Sequence, residues 1–550
     1  MMLGRRRFFM WLLPAVFLVC GGLLSVLLKY EMLWDFANYH YFNPWALLNG
    51  RINEDAAVAG LNAFFNPLID VPLYLLITYF NDYPNFIYFM QGLWFGALAY
   101  VYYKIASLFF AGSGRKERWG IVLSLVAGLS GYAVFFQIGT STNEIPSAFW
   151  VLLSLWLLLR EIFENKRYRN KIFFCAGLVA GLAAGLKFTG GIYGMSIGVA
   201  LVVCKGYLRL SWRNIMVFAG GCVGGFVLAD GYWMWILQRE FGNPFFPFFN
   251  AYFRSPYLEA VNYRDAQFIP TEFWRLVLLP FYWVADWYRK EGGVVVIDWR
   301  LALAYVCLLF WGVKYLWAKI QDKALPFRKQ SVFLGVFAVS AYVLWLNVYS
   351  IVRYMIPIEM LASLLIAGTL LALMPEEKSA RDIYLLPVSA VAAILLLTPL
   401  YSQIWGCRNC EIDGKNFEKF VEVKGINVPD NALLMFYNFP TSALLPYFSR
   451  TAKNLQGVNV LQQNYRYTSM DSDYFNDNPR WKKLKKDILA RDYAARIAFI
   501  AAEPGSLLQI DKARDPVLKD MDCRRLETNI YPYYEICVSP DMKEKIFSEK

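Results

Sequence analysis

The residues that could carry out chemistry begin with Asp35, which follows the first apolar segment of the chain. Residues 8–28 are almost wholly apolar and come after Arg5, Arg6 and Arg7. Basic residues favour the cytoplasmic side, so this pattern predicts a membrane span with a cytoplasmic N-terminus. Asp35 would then lie at the outer face, where a carboxylate could act as a base between a lipid-borne substrate and an external acceptor. The alternative is a helix-end carboxylate that only hydrogen-bonds its own loop.

Four other charged residues fall at the ends of apolar segments or in apolar loops, where charge is costly and often functional. Glu144 is either a first-turn carboxylate that favours a helix N-terminus or a partner of Asp35, as polar wall or metal ligand. Lys187 closes the small-residue helix GLVAGLAAGLK and either extends to the interface or binds a phosphate. The remaining two are Arg353, after an apolar span, and Arg254, in an aromatic and proline-rich loop.

The composition excludes a soluble protein. Aromatic residues make up 18% of the chain and charged residues only 18%, which is typical of a polytopic membrane protein. The net charge of +12 does not indicate a nucleic-acid partner, because the basic residues lie in short loops that alternate with loops nearly free of basic residues. Apolar stretches predict about eleven spans, near residues 8–28, 84–110, 120–138, 146–163, 172–187, 189–205, 214–236, 300–318, 331–349, 356–374 and 383–402.

The positive-inside rule applied to these spans places three regions outside: 29–83, 238–299 and everything after about residue 403. Within the first region, the apolar segment 66–81 is too short to cross the membrane alone. We expect it to form a helix on the outer surface. The sequence becomes polar at Cys407, and strand-like and helix-like segments then alternate, which predicts a small α/β domain. We therefore expect a polytopic α-helical membrane module over residues 1–402 and a periplasmic α/β domain over residues 403–550.

The cysteines fit an outer C-terminal domain. Of the nine, Cys407, Cys410, Cys523 and Cys537 fall in this domain, and an even number suits an oxidising compartment such as the bacterial periplasm. The favoured pairing joins Cys523 to Cys537 and leaves Cys407 and Cys410 as a local bridge. A thioredoxin-like use of CRNC lacks the strand-then-helix setting, and a zinc site fits less well because the two pairs are not both CxxC.

The order of several motifs resembles the GT-C superfamily of integral-membrane glycosyltransferases, which includes protein O-mannosyltransferases and lipid A aminoarabinose transferases. The matching pieces span about residues 8–400, and a terminal domain of this kind resembles appendages on such enzymes that carry little functional information. In order along the chain the motifs are WDFANYH, FFNPLIDVPLYLL, GLAAGLKFTGG, GNPFFPFFN and RYMIPIE.

The resemblance implies an inverting transfer of one sugar from a polyprenyl phosphate of the undecaprenyl type to an acceptor. Asp35 matches the family's catalytic base. The phosphate leaving group needs cations, for which the candidates are Arg353, Lys187 and Arg254. The expected lining of the sugar or acceptor pocket is Tyr39, His40, Asn43, Asn66 and Glu144.

Two features depart from the family pattern. Many members carry paired acidic residues in the first outer loop, whereas Phe36 follows Asp35 here, and the WWDYG signature of oligosaccharyltransferases is absent. Oxygen and nitrogen ligands from Asp35, Glu144 and His40 could hold Mg²⁺ or Mn²⁺, but no spacing demands a metal, and we expect none to be obligatory.

The sequence therefore predicts a glycosyltransferase of the bacterial inner membrane, with partners in the lipid bilayer and no nucleic-acid partner. Its acceptor would be an envelope glycan, a lipid or a protein. The alternatives are a flippase or transporter of lipid-linked sugars, an O-antigen polymerase or ligase, and a non-catalytic envelope scaffold. A flippase should show charges in mid-span and repeated halves, neither of which is apparent.

Overall fold

The computed structural model describes most of the chain, and the account below concerns those residues. They are 2–31, 33–165, 167–265, 268–285, 290–291, 294–295, 297–323, 328–374, 391–392, 394–397, 417–460, 478–501 and 517–547.

The chain is mostly helical up to residue 373, as predicted for a polytopic membrane module. Its first helix already begins at Met2, six residues before the apolar segment. The principal helices of this region are Met2–Leu28, Phe42–Leu48, Val71–Phe80, Pro84–Phe110, Arg115–Leu129, Glu144–Leu159, Asn170–Leu186, Gly191–Val203, Trp212–Phe241, Phe273–Ala285, Arg300–Ile320, Lys329–Val348 and Ile356–Leu373.

Within the described residues, six helical segments are long and apolar enough to cross a membrane. Five shorter apolar helices accompany them, of which Leu12–Leu28, Asn170–Leu186 and Phe188–Val203 coincide with predicted spans. The last predicted span, 383–402, lies largely outside the described residues. The six long segments are Pro84–Phe110, Glu144–Asn165, Trp212–Phe241, Arg300–Ile320, Lys329–Val348 and Val352–Leu373.

Two regions differ from the sequence prediction. The span expected at 120–138 is a helix that ends at Leu129, followed by the separate helical turn Tyr132–Phe135. The region 238–299 contains an unpredicted helix, Phe273–Ala285, with Pro280 inside it. The helix predicted over 66–81 is present as Val71–Phe80, with Pro72 in its first turn.

The helices Asn170–Leu186 and Trp212–Phe241 pack closely because glycines face each other at their contact. A Cβ atom added to Gly181 would lie 2.0 Å from the carbonyl oxygen of Cys222, and one added to Gly225 would lie 2.0 Å from that of Leu178. Only glycine leaves room for backbones this close. The contact continues as far as Gly185, and the backbone becomes extended two residues later, at Lys187.

The C-terminal domain is built on a five-stranded mixed sheet, which confirms the α/β prediction. The strand Ala432–Tyr437 pairs in parallel with the edge strand Gln456–Asn459 on one side and with the central strand Ala495–Ala501 on the other. Tyr534–Val538 then pairs antiparallel with Ala495–Ala501 and with Asp522–Arg525. The helix Pro479–Leu489 connects the second and third strands in sequence.

A disulfide joins the last two strands of this sheet. Cys523 and Cys537 lie directly opposite each other in the antiparallel pair and are bonded through sulfur. The favoured pairing from the sequence is therefore present in the structure. Cys407 and Cys410 lie outside the described residues.

Candidate active site

Asp35 lies on a short helical segment between the first helix and the helix Phe42–Leu48. The chain makes a helical turn at Leu33–Asp35, continues as a π-helical turn over Phe36–His40, and returns to α-helix at Phe42. All residues from Asp35 to Ala46 are buried. A π-helical turn is rare and is often found at a functional site.

Arg353 comes from a distant part of the chain to pair with Asp35. It lies in the single turn Val352–Met355, directly before the helix Ile356–Leu373. Its Nη1 donates to Asp35 Oδ2 over 2.8 Å. The other oxygen, Asp35 Oδ1, accepts no hydrogen bond from the part of the chain that the structure describes. The carboxylate is thus held by one oxygen and open at the other.

Glu144 and Lys187 form a second ion pair beside the first. Lys187 Nζ donates to Glu144 Oε1 and, over 2.6 Å, to the carbonyl oxygen of Thr142. The same Glu144 oxygen lies 3.9 Å from Nε of Arg353. The four side chains therefore alternate in sign, in the order Lys187, Glu144, Arg353 and Asp35. We call them the charged row.

Two tyrosines border the charged row. The ring centroid of Tyr354 lies 5.3 Å from the guanidinium carbon of Arg353 and 5.5 Å from Nζ of Lys187, which are cation–π distances. Burial raises the pKa of the Tyr39 phenol well above its usual value, and the negative charge of Asp35 adds to the effect. Tyr39 is therefore neutral at physiological pH and can donate a hydrogen bond.

His40 belongs to a separate buried group next to the row. Its Nδ1 lies 2.7 Å from Asp70 Oδ1, and that oxygen also accepts from Nδ2 of Asn143, the residue before Glu144. Asp70 thereby fixes the imidazole so that Nδ1 carries the proton. His40 Nε2 is buried and has no hydrogen-bond partner among the described residues. An unpaired buried acceptor of this kind calls for a ligand, a water or a catalytic role.

Asn66 is used in packing. Its Nδ2 donates to Gly185 O, Ala229 O and Asp230 Oδ1 at 2.9–3.0 Å, and its Oδ1 accepts from the Tyr232 hydroxyl at 2.9 Å. These bonds occupy both halves of the amide. The structure therefore shows that Asn66 ties its loop to two helices, and its contact with substrate stays a prediction.

The other two predicted residues differ in their surroundings. Asn43 is buried, donates to the carbonyl oxygen of Asn62 over 2.8 Å, and leaves its own Oδ1 without a partner among the described residues. Arg254 is exposed in its loop and makes no side-chain ion pair with a described residue. The structure thus does not bring Arg254 into the charged row. Its aromatic neighbours Tyr252 and Phe253 are also exposed.

A second buried charged group is structural. The fully buried Arg300 donates to Asp298 over 2.6 Å and to the carbonyl oxygens of Ala127 and Leu395. Glu359 accepts from two backbone N–H groups, those of Ala133 and Val134. These contacts join the helix ends near residue 130 to the helices that begin at Arg300 and Ile356.

The residues proposed as metal ligands each have a different partner. Asp35 pairs with Arg353, Glu144 with Lys187, and His40 with Asp70. Among the described residues, no group of three or more His, Cys, Asp or Glu side chains is arranged to hold a metal ion.

The sequence prediction missed Asp70, Asn143 and Tyr354. Asp70 is the only charged residue in NPLIDVPLYLLITYF, and an isolated acid in an apolar stretch is a signal of function that sequence reasoning could have used. Tyr354 directly follows Arg353, in a motif already singled out. Asn143 carries no comparable signal.

Comparison with known proteins finds similar solved structures. No family model and no curated protein matches the chain. Two solved structures of ArnT from Cupriavidus metallidurans, one bound to undecaprenyl phosphate and one in the apo state, are similar to it at 15% and 17% identity, with TM-scores of 0.44 and 0.41. Each match covers 69% of this chain and 63% of the ArnT chain, less than two thirds of that protein's length.

Proposed function

We propose that this chain is a membrane glycosyltransferase that moves one sugar from a polyprenyl-phosphate donor to an acceptor hydroxyl with inversion. The observation that carries the proposal is the charged row. It joins the buried carboxylate of Asp35, one oxygen of which accepts no described hydrogen bond, to two half-buried cations, Arg353 and Lys187. The motifs that resemble the GT-C superfamily support the same activity.

The row contains what each half of the reaction needs. The acceptor hydroxyl must lose a proton as its oxygen bonds to the anomeric carbon, and Asp35 Oδ1 is the open acceptor for that proton. The bond from the anomeric carbon to the phosphate oxygen breaks at the same time. The departing phosphate gains negative charge, which Arg353 and Lys187 stabilise.

The pairing of the row also suggests how the base is released. Without substrate, each cation is neutralised by a carboxylate. A donor phosphate competes with Asp35 for Arg353 and with Glu144 for Lys187. Binding of the donor therefore loosens the contact that holds Asp35, and the carboxylate becomes a stronger proton acceptor.

Polar groups near the row supply the sugar or acceptor pocket. Tyr39 remains a neutral donor, while His40 Nε2 and Asn43 Oδ1 are acceptors without a described partner. A sugar presents hydroxyl groups that both donate and accept, so it can satisfy this mixed set. Glu144 completes the polar wall.

We further propose that the protein lies in the bacterial inner membrane with a cytoplasmic N-terminus and a periplasmic C-terminal domain. The basic loops of the sequence support this orientation. Transfer would then occur at the periplasmic face, to an envelope glycan, a lipid or a protein. Because Arg353 and Lys187 already provide positive charge for the phosphate, no metal needs to be obligatory.

A flippase of lipid-linked sugars is the main alternative, and a detergent assay separates it from a transferase. Lipid-linked sugars are extracted from cells that lack the protein and mixed in micelles with the purified protein and with envelope material from the same cells. A micelle has no two sides, so a flippase changes no covalent bond there. We expect wild-type protein to release undecaprenyl phosphate, as measured by mass spectrometry, and to glycosylate an acceptor. Unchanged lipids would favour the flippase, and release of a polyprenyl diphosphate with a multi-sugar product would favour an O-antigen polymerase or ligase.

A further inference from the structure

We infer that the C-terminal domain positions the segment that carries Asp35, with Ser442 and Ala443 as the positioning residues and Asp55 as a second anchor. The inference rests on the proposed function, because the placement of Asp35 matters for turnover only if Asp35 takes part in the reaction.

The first contact holds the π-helical turn by its backbone. The N–H of Ala443 donates to the carbonyl oxygen of Ala37 over 3.0 Å, and the Ser442 hydroxyl donates to the carbonyl oxygen of Asn38. Both donors lie just before the short helix Leu444–Phe448 of the domain. Both acceptors lie within three residues of Asp35.

The second contact joins the loop that follows the helix Phe42–Leu48 to the edge of the domain's sheet. Ala56 pairs in parallel with Val458 of the edge strand, and Asn459 N donates to Ala56 O over 3.1 Å. The buried carboxylate of Asp55 accepts from Gly457 N over 2.7 Å and from Gln456 Nε2 over 3.0 Å. The loop thus continues the sheet beyond its last strand.

The two parts also share one apolar core. Phe36 meets Phe420 edge to face, with ring centroids 6.4 Å apart. Further buried members of the same cluster come from both sides of the contact. From the loop they are Tyr41, Phe42 and Trp45, and from the domain they are Leu444, Phe448 and Phe499. The segment that carries Asp35 and the C-terminal domain therefore bury each other.

This arrangement separates the base from the phosphate ligands. Asp35 directly precedes the turn that the domain holds, whereas Arg353 and Lys187 lie at the ends of helices in the membrane module. Release of the domain contact should displace Asp35 and leave the two cations in place. A displacement of about 1 Å costs up to about a hundredfold in rate. We therefore expect turnover to fall while binding of a polyprenyl phosphate is retained.

The test compares full-length variants in detergent. Ser442→Ala removes the hydroxyl donor, Ser442→Thr keeps it, and Ala443→Pro removes the backbone donor at a position whose φ of −61° proline can adopt. Thr441→Val is the matched control, because the equally buried Thr441 hydroxyl donates to Asn438 inside the domain. Three quantities are measured: turnover in the micelle assay, the thermal shift on adding undecaprenyl phosphate, and backbone hydrogen exchange over residues 33–48.

We expect Ser442→Ala and Ala443→Pro to lose at least about tenfold in turnover and to exchange faster over residues 33–48, with the undecaprenyl phosphate shift unchanged. Ser442→Thr and Thr441→Val should behave as wild type. Wild-type turnover and exchange in both Ser442→Ala and Ala443→Pro would overturn the inference, as would an equal effect of Thr441→Val. If wild-type protein shows no transfer at all, the proposed function fails, and the exchange data alone still decide whether the domain holds the segment.

Discussion

Arg353 donates from Nη1 to Oδ2 of Asp35 over 2.8 Å, although the two residues are 318 positions apart in the chain. The contact joins a turn after the first helix to a turn before the helix Ile356–Leu373. One cation thus restrains the proposed base and is also the proposed ligand of the leaving phosphate. A buried ion pair is by itself only weak evidence of a contribution to stability. We therefore attribute this pair to the proposed double role of Arg353.

Replacing Arg353 should therefore affect both binding and turnover. In Arg353→Ala we expect weaker binding of undecaprenyl phosphate and a loss of about a hundredfold or more in turnover, because a charged hydrogen bond to the departing phosphate is removed. Thermal shift and the micelle assay measure the two effects. Arg254→Ala is the matched control, since Arg254 is exposed and makes no ion pair with the charged row, and it should behave as wild type. Equal losses in both variants would contradict the structural assignment.

The pair of Lys187 and Glu144 allows stability to be separated from function. Lys187→Met leaves the buried Glu144 with only its longer contact to Arg353, over 3.9 Å. Loss of one partner from a buried ion pair typically costs about 3–5 kcal/mol of stability. Adding Glu144→Gln removes the stranded charge, so the double variant should regain thermal stability. Turnover should stay low in the double variant because the phosphate ligand is still missing. Recovery of turnover together with stability would show that Lys187 has only a structural role.

Asp70 should act through His40. We expect Asp70→Asn to lower turnover by about tenfold, since the carboxylate that orients the imidazole is lost. At metal sites, loss of the carboxylate behind a ligating histidine typically costs about 10–100-fold. In a His40→Ala background the same change should cost little more. The four variants of this cycle are compared in the micelle assay. Fully additive losses would mean that Asp70 and His40 act independently.

Chelation tests the expectation that no metal is obligatory. Because Arg353 and Lys187 supply positive charge next to Asp35, prolonged treatment with EDTA should leave turnover unchanged. A loss that added Mg²⁺ or Mn²⁺ restores would contradict this expectation. Asp35, Glu144 and His40 would then be examined again as ligands.

Features that depend on local pattern could be predicted from the sequence. The apolar helices, the break at Lys187 and the C-terminal mixture of strands and helices follow from hydropathy and small-residue spacing. Asp35, Glu144, Lys187 and Arg353 were recognised one by one, because a charge at the end of an apolar segment is conspicuous.

What could not be predicted depends on which distant segments meet. Nothing in the spacing of Asp35 and Arg353 encodes their pairing, and the aromatic loop around Arg254 does not show that its side chain is exposed and outside the charged row. The family resemblance suggested a substrate contact for Asn66. Its packing role could not be predicted, because the three acceptors of its amide lie more than a hundred residues away. The contact of Ser442 with Asn38 likewise joins residues that are 404 positions apart.

The most direct test of the central claim is the turnover of Asp35→Asn in the micelle assay, beside Asp35→Glu and wild type at matched amounts. Asn keeps the size of the side chain and can still meet Arg353 through its oxygen, but it cannot take a proton. We expect Asp35→Asn to bind undecaprenyl phosphate and to lose about a hundredfold to ten-thousandfold in turnover, with Asp35→Glu retaining part of it. Turnover of Asp35→Asn at the wild-type level would show that Asp35 is not the base.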